Sequence, residues 1–572
     1  MSLEDIFNKQ KTVTEGSNEH TVSGNYGMVS SPIHEVSEIG EEVLKDGGNA
    51  IDAIIAMQFA LGPAEGMNTG IGAGGFIMYY DSEKNETKVV NGHTRAPEAV
   101  KPDVFYENGE LMSFDDRSMS PRSVGVPGST KMLELAHERY GSMPLERLVD
   151  PAIKLAEEEF RVNSLWERTI DLFEHRLGDE AKKIYMPNGT KLKEGDTIRQ
   201  TDYARALKAI RKEGFKSVYE GEIADAIIET LQEEGGIMTK KDLESYEAAI
   251  DNPLWGSYKE FDFAFPSPPN GGGFAVSQLL KILEPLEISQ YDIKSWKKYH
   301  LLAESMRLAI ADQQTYMGDP AFVDIPMEGL FNDEYLEERR KLLNFDFRRE
   351  EIKGGDPYKY QKGEAGREMK QDTSEKGMET THFTAVDRWG NIAACTTSLE
   401  RMFGSGIMVP GYGFVLNNDL TDFSPEPGSA NEPNGKKYAV SSKAPTIVYH
   451  DDKPFFTLGS PGASTIVGSV VQVFLHLIEY KMDLREAVAE TRIFNNPDLS
   501  MEWEDGINEE AMKKLKELGY ELDRSFKTQT ADVRIGDVQA ILIDPETGKL
   551  YGAADSPRPG AAIGLTEPPA EK

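Results

Sequence analysis

The chain has 572 residues, 39% of them hydrophobic, and carries 63 basic against 97 acidic side chains for a formal net charge of −34. At about 100–200 residues per domain, that length allows two to four domains or one large composite core. So acidic a surface repels nucleic acid and anionic membranes, so neither is expected as a partner, and as a solvated coat it names no substrate.

A single cysteine, Cys395, excludes an internal disulfide. It falls in an alternating apolar stretch and reads as a buried structural thiol rather than a nucleophile. The opening MSLEDIFNKQKT has neither a basic n-region nor an apolar h-region. A cytoplasmic protein is therefore expected, or a secreted or periplasmic one if a leader has been removed.

In chain order, residues 1–24 are polar and read as loose, and YGMVSSP reads as a short strand and turn. Residues 34–61 have helical spacing interrupted at Gly47-Gly48. Their apolar core, AIDAIIAMQFAL, carries Asp52 and is too short to span a bilayer. The next stretch, GMNTGIGAGGFIMYY, places Gly70, Gly72 and Gly75 in G-x-G-x-x-G spacing. A dinucleotide site needs a strand before that spacing and a helix after it. Here the order is reversed, so close backbone packing is the better account and no cofactor is expected.

From about residue 129 to 346 helical patterns dominate, broken by the strand-like SYKEFDFAFPS. Residues 344–379, rich in Lys, Glu, Gly and Asp, read as a polar surface linker. Strand patterns then follow in series: THFTAVD, NIAACTTSL, YGFVLNN, TIVYH, FFTLGS, VQAILID and LYGAAD. The chain thus divides into a helix-rich part, residues 1–379, and a sheet-rich part, residues 380–572.

THFTAVD and NIAACTTSL, joined through RWGN, predict a β-hairpin. A loop of two or four residues pairs positions summing to 779, and a loop of three gives 778. Either register puts Thr380 opposite residue 398 or 399, so the hydroxyls of Thr380, Thr396 and Ser398 gather where the linker ends. A Thr-rich strand is the plain reading, since threonine favours strands. The chemical reading is cleavage before Thr380. The new α-amine, with an ordinary pKa of about 7.7–8.0, would then serve as base for the hydroxyl on the same residue. Thr396 and Ser398 would orient it. No competing H-E-x-x-H, G-x-S-x-G or G-x-x-x-x-G-K-[ST] motif is present, and no metal site is expected.

At these residues the sequence resembles the γ-glutamyltransferase family of N-terminal nucleophile hydrolases. The likeness runs from about Gly24 to Gly564, through GGNAIDA, MNTGIGAGGF, PSPPNGGGFAVSQLLKILE, TTHFTAVDRWGNIAACTTSL, SSKAPTIV, TLGSPGAS and LYGAADSPRPGAA. It implies an α+β fold, a four-layer αββα sandwich built from one precursor. Cleavage at Glu379–Thr380 would give a large subunit, residues 1–379, and a small one, residues 380–572, held together as a heterodimer. It further implies Thr380 as nucleophile, with Thr396 and Ser398 beside it and backbone N–H groups of Gly462 and Ala463 as the oxyanion hole. Ser441 and Ser442 match a pair contacting the substrate α-carboxylate, and Asp422 matches the α-ammonium ligand. Asp419 falls where the family has Gln or Glu.

Three departures bear on substrate. Glu400 stands where the family usually has a neutral Asn. With Asp419 and Asp422 it would place three carboxylates around one ammonium, or it turns away to pair with Arg401. The arginine expected for the α-carboxylate is displaced, since GHTRAP has His93 there. Arg95, two residues on, is the candidate, against a structural arginine. Only 18 residues separate Asp422 from Ser441, which shortens the lid-forming loop. The main expectation is an autoprocessed γ-glutamyl hydrolase or transferase acting on a small glutathione-like donor. The alternatives are an acylase of glutaryl or cephalosporin-type amides, a poly-γ-glutamate depolymerase, or an unprocessed, non-catalytic binding protein.

Overall fold

The structure of the protein, a computed structural model, describes residues 3–15, 21–158, 160–363, 369–377, 379–497, 500–523, 535–555 and 557–569. Its centre is a pair of seven-stranded antiparallel sheets. Before residue 380 the chain contributes β1 (Thr21–Gly24), β2 (Gly27–Ser31), β3 (Gly74–Asp81), β4 (Glu86–Gly92), β5 (Ala249–Asp251), β6 (Leu254–Tyr258) and β7 (Phe261–Phe265). After it come β8 (Thr381–Asp387), β9 (Ile392–Ser398), β10 (Thr446–His450), β11 (Lys453–Gly459), β12 (Gln539–Ile543), β13 (Leu550–Ala554) and β14 (Ala561–Gly564). One sheet runs β14-β2-β8-β9-β3-β4-β5 and the other β1-β13-β12-β11-β10-β7-β6. Each sheet therefore mixes strands from both sides of residue 380.

Strand periodicity sets the layers. In β3, Phe76, Met78 and Tyr80 point between the sheets, where they meet Met28, Ile392, Ile447 and Ile541. The alternate Ile77 and Tyr79 face outward into helices, among them Ala50–Ala64. Helices Gly272–Leu283, Trp296–Tyr316 and Thr465–Ile478 cover the outer face of the second sheet. The result is a four-layer αββα sandwich. Because both faces of the central strands are covered, every residue of β8 and β9 is buried, threonines included.

Asp52 fits inside a wholly buried helix because its carboxylate is saturated. It accepts from the backbone N–H of Asn49 in a capping box and from the Ser142 hydroxyl at 2.6 Å. No helix among the described residues is long and apolar enough to cross a membrane. The glycine-rich turn after this helix is a close-packing device. A Cβ at Gly72 would lie 2.2 Å from the Val415 carbonyl oxygen, and one at Gly75 2.3 Å from that of Thr396.

Three expectations need correction. The N-terminal stretch is not loose throughout, because Leu3–Glu15 is a helix whose Phe7 packs edge-on to Phe455 at 6.0 Å; residues 1–2 and 16–20 lie outside the described residues. YGFVLNN is not a strand, since only Val415 bridges, to Met408. The polar linker does not stay on the surface. Residues 364–368 and 378 lie outside the described residues, but Asp372 is buried and residues 372–377 line a cavity.

Candidate active site

The hairpin β8–β9 pairs Thr381 with Thr397 and His382 with Thr396, a register summing to 778. Its loop is the three residues 388–390, closed by Asp387 and Asn391, with Gly390 at φ 84°. The Asp387 carboxylate holds the turn by accepting from the Trp389 and Asn391 backbone N–H groups. That register carries Thr380 to a place opposite Ser398.

The chain is continuous here, and both hydroxyls converge on one carbonyl. Thr380 Oγ1 donates to the Glu379 carbonyl oxygen at 2.6 Å, and Ser398 Oγ donates to the same oxygen at 2.7 Å. The two hydroxyl oxygens are 3.4 Å apart. Ser398 in turn accepts from the Glu400 backbone N–H at 2.7 Å, which fixes the direction of its proton. Thr396 is not in this cluster. Two residues before Ser398 in β9, it faces His382, whose Nδ1 lies 2.7 Å from its hydroxyl. Burial depresses the His382 pKa to about 3, so its imidazole is neutral.

A buried arginine clamps the same peptide from the other side. Arg558 donates to the Thr380 carbonyl at 3.0 Å, to the Glu379 carboxylate at 3.2 Å and to the Glu65 carboxylate at 2.6 Å. Glu65 also pairs with the Thr381 hydroxyl. Arg558 lies in SPRPGAA, a stretch that shows nothing of its role when read alone. Its partners sit 177 to 493 residues away.

Thr380 and Ser398 open on a cavity of about 430 Å³. Glu400, Asp422, Ser441, Ser442, Gly462 and Ala463 also line it. Glu400 faces inward, and its carboxylate accepts from the Gly377 N–H at 2.5 Å. Arg401 instead pairs with Asp115 at 3.3 Å. Burial, reinforced by the neighbouring carboxylates, raises the pKa of both Glu400 and Asp422.

Asp419 and Arg95 are absent from the cavity wall. Asp419 accepts from the Thr94 hydroxyl at 2.6 Å behind it. Arg95 is tied into backbone bridges with Val126 and Tyr438, and its guanidinium stacks over Tyr246 while donating to Ser245. Among the described residues the cavity instead holds three cations: Arg558, Lys376 and Lys443. The signal for Lys443 was its place directly after the serine pair. No cluster of His, Cys, Asp and Glu suited to a metal ion is found among the described residues.

Gly462 and Ala463 form the turn before helix Thr465–Ile478, with φ 121° and 50°. The Gly462 carbonyl accepts from Thr465, and neither N–H donates to any described atom. Ala463 therefore holds a left-handed conformation at a cost of about 1–2 kcal/mol. Ala463→Gly relieves that strain but adds about 0.4–1 kcal/mol of unfolded-state entropy. Both backbone N–H groups survive that change, so any reaction at this turn should proceed much as in the parent, whereas losing a charge-stabilising backbone donor costs about 10²–10³-fold. Initial rates of parent and variant test this, and a hundredfold drop would show that the alanine methyl is required.

An αββα sandwich with a hydroxyl residue poised on its own preceding carbonyl defines an N-terminal nucleophile hydrolase. The chain matches the gamma-glutamyltranspeptidase family over residues 36–565, and it belongs to that family. It is 46% identical over 545 residues to the glutathione hydrolase proenzyme of Bacillus subtilis (strain 168), covering 95% of this chain and 92% of that one. It is 32% identical over 543 residues to the acylase ACY 1 proenzyme of Pseudomonas sp. (strain SE83), covering 93% and 92%. The crystal structure of cephalosporin acylase from Bacillus halodurans superposes with a TM-score of 0.84 at 26% identity, covering 96% of this chain and 98% of that one.

Proposed function

We propose that this enzyme cleaves its own Glu379–Thr380 bond and then uses Thr380 to hydrolyse or transfer the γ-glutamyl group of glutathione-like donors. The observation that carries this reading is the convergence of the Thr380 and Ser398 hydroxyls on the Glu379 carbonyl oxygen, at the mouth of a cavity lined by Glu400 and Asp422.

In processing, Thr380 Oγ1 attacks the Glu379 carbonyl carbon while Ser398 donates to the oxygen as it gains charge. The C–N bond breaks, nitrogen takes the hydroxyl proton, and Glu379 is left as an ester on Thr380. Water hydrolyses that ester. The products are residues 1–379 and residues 380–572, which stay together because each sheet uses strands from both. In turnover the freed amine takes the Thr380 hydroxyl proton, and Oγ1 attacks the donor's γ-carbonyl. The N–H groups of Gly462 and Ala463 receive the oxyanion. The proton passes to the leaving amine, and water or an acceptor amine releases the γ-glutamyl group. Asp422 and Glu400 bind the α-ammonium, and Ser441 and Ser442 lie on the α-carboxylate side.

The mass spectrum of purified protein tests the first half of this reading. Two chains should be found, the smaller beginning at Thr380. Release of the amine from a γ-glutamyl anilide tests the second half. A single intact chain that still cleaves the anilide would refute the assignment. Asp422→Asn should raise KM about 10–100-fold at nearly constant kcat, since it removes a charge-assisted contact of about 1.5–3 kcal/mol made equally in ground and transition states. Initial-rate kinetics with an unchanged KM would remove Asp422 from the ammonium site.

A second reading, a glutaryl-type acylase, is favoured by one observation. Burial raises both Glu400 and Asp422. Carboxyls that burial makes harder to ionise hold an ammonium less firmly, which favours an acyl chain without one. Parallel rates on γ-glutamyl and glutaryl anilides separate the two, because an enzyme built for the ammonium rejects the glutaryl compound.

A further inference from the structure

We propose that Lys443, rather than Arg95, seats the carboxylate at the far end of the donor's acyl chain. The inference rests on the acyl-transfer reading above and names the specificity group of that same site. Three observations carry it.

The first is the state of the cavity's cations. Arg558 is committed to Glu65 and Glu379. Lys376 is committed to Asp372 at 2.8 Å and to the Asp422 carbonyl at 2.7 Å. Lys443 forms no ion pair among the described residues, and its ammonium reaches only the Ser441 hydroxyl, at 3.4 Å. Lys443 is 4% exposed and lines the cavity; its charge is felt by Asp419 and Asp422, but with no contact ion pair its ammonium stays available to an anion that enters.

The second observation is the local hydrogen bonding. Ser441 Oγ accepts from both the backbone N–H and the ammonium of Lys443, which leaves its own proton free to donate outward. The Ser442 hydroxyl has no partner among the described residues. Three donors, one of them charged, thus stand together at one end of the cavity. That is the chemistry of a carboxylate seat.

The third is charge placement. Glu400 and Asp422 line the same cavity, so an acyl chain ending in both an ammonium and a carboxylate meets both signs. Arg95 cannot serve there, for it is outside the wall and stacked on Tyr246.

The test uses three anilides that differ only at this end: γ-glutamyl, glutaryl without the amine, and 4-aminobutanoyl without the carboxylate. Lys443→Met and Lys443→Gln, checked for cleavage into two chains, should raise KM at least tenfold on every carboxylate-bearing substrate the parent accepts. On the 4-aminobutanoyl compound they should leave KM within about threefold, because no carboxylate meets Lys443. Lys443→Arg should restore part of the loss. An equal change on all three compounds would make Lys443 a structural counter-charge and overturn the proposal, as would a loss in Arg95→Gln with none in Lys443→Met. A measurement without substitution guards against variants that fail to mature. Glutarate, and not the carboxylate-free 4-aminobutanamide, should protect Lys443 of the parent enzyme from an amine-directed reagent, read by peptide mass, and absence of that protection also overturns it. If the parent cleaves none of the three anilides, the functional reading falls first, and the labelling result still reports on Lys443.

Discussion

Thr380→Ala should accumulate as one polypeptide of 63.6 kDa, with turnover reduced by at least about 10³-fold. The size of the effect follows from one oxygen having two tasks. Thr380 Oγ1 is the group that donates to the Glu379 carbonyl at 2.6 Å before cleavage. After cleavage it is the proposed acyl carrier. Without it the N-to-O shift has no nucleophile, and the α-amine stays locked in a peptide where it is no base. The fold should survive. β8 begins one residue later, at Thr381, and Ser398 still donates to the orphaned carbonyl, so the net loss of one hydrogen bond is about 1 kcal/mol. A denaturing gel and an intact-mass spectrum read the outcome. Thr380→Ser should retain slow cleavage. Full activity from an uncut Thr380→Ala protein would place the chemistry elsewhere.

Arg558→Met should be the most destabilising single change near the site, by about 3–5 kcal/mol, the usual cost of leaving a buried charge without its partner. Arg558 and Glu65 are 5% and 0% exposed at the side chain and 2.6 Å apart. Burial already raises the pKa of nearby Asp537, an effect that the Arg558 charge opposes. Removing the guanidinium strands Glu65 and lifts Asp537 further. It also frees the Thr380 carbonyl and the Glu379 side chain, so cleavage should slow as the melting temperature drops by several degrees. The double variant Arg558→Met with Glu65→Gln should recover part of the stability, since both charges leave together. Calorimetry of the pair tests this. Additive losses would mean that the two side chains are not energetically coupled.

The site was half legible in the sequence because half of it is local. A hairpin's register is set by its loop, so the meeting of Thr380 with Ser398 follows from counting across RWGN. Counting places backbone positions, though, and not hydroxyls, so it does not show that the Thr396 hydroxyl faces His382. Arg95 is a related case: nearness in sequence to a familiar position does not show that its guanidinium lies over Tyr246, outside the cavity lining. Lys443 and Arg558 become meaningful only when segments hundreds of residues apart are brought together. At the level of the fold, helix-rich and sheet-rich parts are compositional readings, which do not say how β1–β7 and β8–β14 interleave. Sheet membership depends on pairing across the chain, which local periodicity does not encode.

That interleaving would make the proposed cleavage a one-way event. The precursor folds as a single molecule, so the order of assembly is independent of dilution. The proposed cut comes next to a central strand, after every neighbour is already in place, and nothing needs to depart. Once nicked, the same sandwich has no unimolecular route back from denaturant: two fragments, each carrying an unmatched set of seven strands, would have to find one another. Heat or urea that the uncut chain survives reversibly should therefore inactivate the mature pair for good, and more completely the more dilute the solution.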